Sequence, residues 1–237
     1  VLGRLPLRDR SDLHGRRRRL PVGLSPWFGN VILGAVDLTA TAGRLRALGL
    51  DVQHGGTHPA FGTRNMIVPL GRSYLELLAV EDRARAERSL FGQTLLDRTA
   101  EGDRLVRWSI RTDRIDEVAA ELDLEVDDRS RLHPDGRTLR WRSAGMTPSL
   151  LDPSRPFFMQ WPDTDWPGAE PARHRADVGE ILELEVDGPD PRVLLGGRWG
   201  RDLPVIVTGG PPDLVAVTIE VDGRPCRIGP ENRAPGN

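Results

Sequence analysis

The sequence predicts an α+β fold built from repeated strand, helix, strands modules, and three observations carry that prediction. Short apolar runs rich in β-branched residues alternate with amphipathic helical patterns. The same element order returns at intervals of roughly 70 to 80 residues, too long for a solenoid unit. With 237 residues and a single cysteine, Cys226, the chain can bury a core without any internal disulfide.

The first module is assigned to residues 26–102. "NVILGAV" (30–36) reads as a buried strand, and Asp37 follows where a helix needs an N-cap. Leu38, Ala42, Leu45 and Leu48 then recur on one helical face, with Gly49 placed to end it. "GGTHPAFGTRN" (55–65) reads as a loop. "NMIVPLG" (65–71) and "SYLELLAV" (73–80) read as two strands across a tight turn at Gly71. "SLFGQTLLDRTAEG" (89–102) reads as a linking helix that turns Leu90, Phe91, Leu95 and Leu96 inward.

Residues 103–177 repeat the order. "LVRWSIRT" (105–112) is strand-like, Asp113 stands at a helix start, and Ile115, Val118, Ala119 and Leu122 form an amphipathic face. "RSRLH" and "TLRWR" flank Pro134-Asp135-Gly136 as a hairpin, and "PFFMQW" (156–161) closes the module. The proline-bearing segments 148–156 and 162–177 read as surface loops. A third pass, assigned to 178–237, runs through "EILELEVDGPDPRVLLGG", "LPVIVTGG" and "DLVAVTIEVDG". Residues 1–25, with Arg16 to Arg19, lack hydrophobic periodicity and are expected to be a disordered basic tail.

A formal charge of −2 argues against a nucleic-acid or membrane partner and for a small-molecule ligand. All 33 basic side chains are arginine, more often a coding bias than a functional signature. No segment has the pattern of a signal peptide or the length of a bilayer span, so a soluble, cytoplasmic protein is expected, as a monomer or homodimer.

"GGTHPAFGTRNMIVPLGRSYLELLAVED" (55–82), with its Gly-Gly-x-His-Pro, Gly-Thr-x-Asn and Tyr-Leu-Glu-Leu elements, resembles the vicinal oxygen chelate superfamily, and more closely its glyoxalase-like domain proteins. The resemblance spans about residues 27 to 223. It implies tandem βαβββ modules whose curled mixed sheets form a cup, here followed by a C-terminal partial third module. In the family's metal enzymes, the first and last strands of each module supply the ligands. The matching positions here are Asn30, Glu76, Val106 and Gln160, of which only Glu76 is a good ligand. No bound metal is therefore expected, and no cofactor is named.

Glu76 shares a strand face with Tyr74 and Leu78. It is read either as a proton-transferring carboxylate or as the structural partner of an arginine such as Arg64 or Arg142. His58, set before a proline, is either an acid, base or ligand, or a brace for its own loop. Thr63, Arg64 and Asn65 are candidate ligand contacts, together with Asn30 and Gln160. Arg142 joins them if the arginine face of "TLRWR" lines the cup, and Trp161 is read as cup wall. The expected function is binding of a small organic molecule in an apolar cup, an anionic one if the arginine face lines it. Lyase or isomerase chemistry would use Glu76 as base and Arg64, Asn65 or Gln160 at the developing oxyanion. The alternative is a binding or sequestering protein without turnover.

Overall fold

A computed structural model describes residues 27–133, 135–161 and 166–230. The basic segment 1–25 lies outside the described residues, as does Pro134 of the expected hairpin.

The first repeat comprises β1 (Trp27–Gly34), α1 (Leu38–Ala47), β2 (Gln53–His58), β3 (Thr63–Pro69) and β4 (Tyr74–Val80). Two helices, α2 (Arg83–Ala86) and α3 (Leu90–Arg98), lead to the second: β5 (Arg104–Arg111), α4 (Ile115–Leu122), β6 (Val126–Leu132), β7 (Thr138–Ala144), α5 (Met146–Leu151) and β8 (Phe157–Gln160). These strands form one mixed sheet of eight, in the order β2-β3-β4-β1-β5-β8-β7-β6. In each half the first strand lies parallel to the last, β1 with β4 and β5 with β8, and the halves join antiparallel through β1 and β5. The sheet curls until its ends meet, where Arg131 on β6 donates to the Gly55 carbonyl on β2. The result is a half-barrel cup.

Alternation along the strands assigns each residue to a face. Leu75, Leu77 and Ala79 of β4, with Val31, Leu33, Trp108 and Ile110, turn outward into the main core beneath α1 and α4. Tyr74, Glu76 and Leu78 line the cup. Asp37 caps α1 through the Thr39 and Ala40 amides, at 2.9 and 3.1 Å. Gly49, with φ of 88°, closes it in the left-handed conformation that favours glycine.

Several local expectations need correction. β1 ends at Gly34, because the Val36 amide leaves the sheet to bond the Asp103 carboxylate, at 2.9 Å. Leu48 and Leu90 sit at helix ends with their side chains exposed. Asp113 does not cap α4; the N-cap is Arg114, without a side-chain cap bond, and its backbone amide bonds Thr112 Oγ1. Residues 55–58 are strand, paired with β3 around a bulge at Gly55, rather than loop. Segment 148–156 is not a plain surface loop: it holds the end of α5 and two fully buried serines, Ser149 and Ser154. Trp166, Pro167 and Gly168 are likewise buried, at a 3-10 turn.

The C-terminal elements are β9 (Val178–Asp187), α6 (Pro191–Leu194), α7 (Gly196–Trp199), β10 (Val205–Thr208), β11 (Asp213–Val221) and β12 (Arg224–Ile228). They form a second sheet in the order β10-β9-β11-β12. Element order repeats that of the first two modules but strand order does not: β10, the strand that follows the helices, is the parallel neighbour of β9, whereas the parallel neighbour of β1 is the closing strand β4. Leu184, Val186, Val217 and Ile219 extend the main core from this sheet. Asp213 at the start of β11 ties it to α3 and β5 by accepting from Arg98 and from Arg104, the latter at 2.6 Å. Burial pushes the Asp213 carboxyl up, but bonds and charges from the two arginines outweigh this and hold it below the usual carboxylate range.

Replacing Asp213 with alanine strands two arginines and should lower unfolding free energy in urea by about 3 kcal/mol. Because the folded-state value is depressed, this contribution is complete above the unfolded pKa of 3.8 and disappears as pH falls through the lower folded value. The difference between parent and variant should therefore shrink only under strongly acid conditions.

Candidate functional site

The cup encloses about 630 Å³, counting its open mouth. Among the described residues Glu76 is the only carboxylate on its wall. It occupies the middle of β4, 8% exposed, and both oxygens are engaged. Asn30 Nδ2 on β1 donates to Oε2 and Asn65 Nδ2 on β3 donates to Oε1, each at 2.7 Å. Asn30 is itself fixed, since its backbone amide donates to Ser109 Oγ at 2.9 Å while the Ser109 hydroxyl donates to Asn30 Oδ1. A carboxylate has about four lone-pair positions, so two amides leave room for a ligand proton.

Neither arginine considered as a partner reaches Glu76. Arg64 is exposed, because alternation on β3 turns Thr63, Asn65 and Ile67 inward and Arg64 outward. Arg142 faces the outer side of β7 and pairs with Asp116 on α4, at 2.6 Å. Gln160 is turned the same way. Its Nε2 donates to the Asp113 carbonyl at 2.7 Å, while Phe157 and Met159 occupy the inward positions of β8. Arg64, Arg142 and Gln160 thus lie outside the cup.

His58 and Trp161 are on the wall, and Thr63 stands behind His58, sharing a 3.1 Å hydrogen bond with its Nδ1. Burial draws the His58 imidazole below its ordinary pKa, and the charge of Glu76 opposes part of that shift. Tyr74, two residues before Glu76, is also buried; burial first, then Glu76, push its phenol well above the ordinary value, so it remains a hydroxyl donor. Trp161 stacks on Trp141, with ring centroids 5.1 Å apart.

Arg107 and Arg131 also line the cup and were not anticipated. The signal was present: Arg107 interrupts a strand buried along most of its length, as Glu76 does. The residue matched to Asn30 was instead Val106. In the observed register Ile32 faces Arg107 while Leu33 faces Leu105, so Val106 is the extra residue of a bulge. It packs with Leu95 of α3. Arg107, fourth in β5 as Asn30 is fourth in β1, takes the equivalent inward position.

These residues test whether the family's divalent metal fits. The four matching positions hold an amide, a carboxylate occupied by two amides, a guanidinium, and a glutamine turned away. Among the described residues no three His, Cys, Asp or Glu side chains converge. One carboxylate already held by two amides does not make a divalent site.

Two βαβββ repeats sharing one curled sheet, with a polar pair inside an apolar cup, define a vicinal oxygen chelate architecture. The chain belongs to the glyoxalase-like domain family, whose model matches residues 31–199. Among solved structures, a hypothetical protein from Staphylococcus aureus is similar over 84% of this chain and 97% of its own, with a TM-score of 0.61 and 16% identity. Methylmalonyl-CoA epimerase from Mycobacterium tuberculosis aligns over 61% of this chain and 92% of its own, with a TM-score of 0.43 and 16% identity. At 16% identity the likeness to the Staphylococcus aureus protein speaks for the fold alone. No curated protein sequence matches the chain. Among the described residues no helix is long and apolar enough to cross a membrane.

Gly55 leaves space that the site uses: a Cβ there would meet Asn65 Oδ1 at 2.1 Å. Gly55→Ala should displace the Asn65 amide from Glu76 and lower stability by about 1–3 kcal/mol in a thermal or urea melt. An unchanged melt would mean that Asn65 is not held in place.

Proposed function

We propose that the cup binds a small carbonyl compound and that Glu76 takes the proton from the carbon beside the carbonyl. The observation that carries this reading is the carboxylate itself, held by two amides in an apolar cup where, among the described residues, no cation pairs with it directly. Preorganised in this way, Glu76 needs no rearrangement before accepting a proton. The C–H bond breaks, the proton passes to Glu76, and the electron pair moves onto the carbonyl oxygen. Tyr74, on the same face of the strand, is the hydroxyl donor available to that oxygen, and His58 stands nearby in a largely neutral state. Return of the proton to another carbon, or to the other face of the same carbon, gives isomerisation. Loss of a neighbouring leaving group gives lyase chemistry. Asn30 and Asn65 orient the base, and Thr63 orients His58. Phe61, Trp161 and Met159 exclude water around the reacting carbon.

The test is hydrogen exchange in deuterated water, followed by NMR over a panel of 2-oxo acids, 3-oxo esters and 2-hydroxy ketones. At least one class should exchange beside its carbonyl faster with protein than without, and Glu76→Gln should reduce that rate by about 10²–10⁴-fold. Binding without protein-dependent exchange anywhere in the panel would overturn the proton-transfer reading in favour of a sequestering protein.

A further inference from the structure

Arg107 is 1% exposed, yet its partners are all neutral. Nη2 donates to Ser149 Oγ at 2.6 Å and to the Met146 carbonyl at 3.2 Å. The guanidinium lies over Phe157, 4.4 Å from the ring centroid, and near Phe91 at 5.4 Å. Its Nε is buried with no acceptor. Among the described residues no carboxylate comes within ion-pair distance of it, although Arg98, Arg104 and Arg142 each find one. Burial draws Arg107 down to about 9, with Glu76 opposing the shift and Arg129 adding to it, so at neutral pH it is a cation. A buried cation facing only neutral groups is costly, and that cost falls when an anion arrives.

A second arginine on the wall, Arg131, is committed to the backbone, donating to the Gly55 carbonyl. The register places the strand positions of Glu76 and Arg107 on either side of Ile32. At about 4.8 Å per strand they stand ~10 Å apart. Arg107 and the Glu76 carboxylate thus stand apart on the wall, with the apolar side chain of Ile32 between them.

We propose that the ligand of this cup is an organic monocarboxylate, its carboxylate on Arg107. The geometry of an arginine fork favours a carboxylate over a neutral carbonyl. The inference rests on the cup being the ligand site, as read above, and does not depend on turnover.

Matched acid and amide pairs test it: 4-(hydroxymethyl)benzoate against its amide, and 6-hydroxyhexanoate against its amide, titrated by tryptophan fluorescence and calorimetry. At least one acid should bind tenfold or more tighter than its amide. Arg107→Met, which keeps an apolar stem between the two phenyl rings, should bring that ratio close to one, and Arg107→Lys should retain part of it. Should the methionine variant fail to fold by circular dichroism, the ratio on the unaltered chain and on the lysine variant decides. Equal binding of acid and amide, no detectable acid binding at millimolar concentration, or a preference that survives Arg107→Met would overturn the proposal. Glu76→Gln separates the two readings, since it should keep the acid preference while abolishing exchange. Exchange of neutral ketones with no acid preference would overturn only the carboxylate assignment.

Discussion

Burying a carboxylate in the middle of a sheet sets terms for the strands on both sides of it. Left unpaired, such a group costs several kcal/mol, on the order of the net stability of a domain. Here β4 lies between β3 and β1, and each neighbour contributes one asparagine to one oxygen of Glu76. Sliding either strand by one residue would turn its asparagine to the other face and leave an oxygen unmet. The clamp therefore fixes the register of three strands, and through Asn30 and Ser109 it extends to β5 and the second repeat. Gly55 belongs to the same constraint, because only a residue without a Cβ leaves room for Asn65.

The two repeats match in topology and differ in charge. At the related inward positions of β1 and β5 stand Asn30, bonded to a carboxylate, and Arg107, bonded only to neutral groups. A site with the same ligand type from each half would suit a metal centred between them. A carboxylate on one side and a guanidinium on the other suits an organic molecule with distinct ends. Such asymmetry is what a duplicated fold needs to orient a ligand rather than chelate an ion, and the aromatic residues between the poles supply contact without direction.

Much of the fold was legible along the chain. The periodicity of Leu38, Ala42 and Leu45 marked α1, and "YLELLAV" divided into an inward and an outward set that the structure reproduces. What went unread had little local pattern. β2 carries two glycines and two histidines in six residues and becomes a strand only because β3 pairs with it. α5 includes Pro148, which its first turn tolerates. Of the candidate residues, Glu76, Asn30, Asn65, His58 and Trp161 line the cup, whereas Arg64, Arg142 and Gln160 do not. Glu76 and Asn65 lie on strands that pair without a bulge and alternate regularly. For "TLRWR" no local pattern distinguishes the core side from the solvent side, and in "PFFMQ" a run of apolar residues hides the alternation that places Gln160 outside.

The sequence by itself determined the repeat, the family motif and the presence of Glu76 within an otherwise apolar strand. Side-chain periodicity and turn chemistry are local, so a single chain read in order displays them. Only the tertiary structure decided which arginine enters the cup. A one-residue bulge in β5 shifts the inward position from Val106 to Arg107, and such a shift is set by pairing with β1, a strand more than seventy residues away. It likewise decided that Glu76 is held by amides and not by an arginine, because the choice depends on which strands flank β4 in the curled sheet. The order of residues specifies the groups, and the closure of the sheet specifies which of them meet.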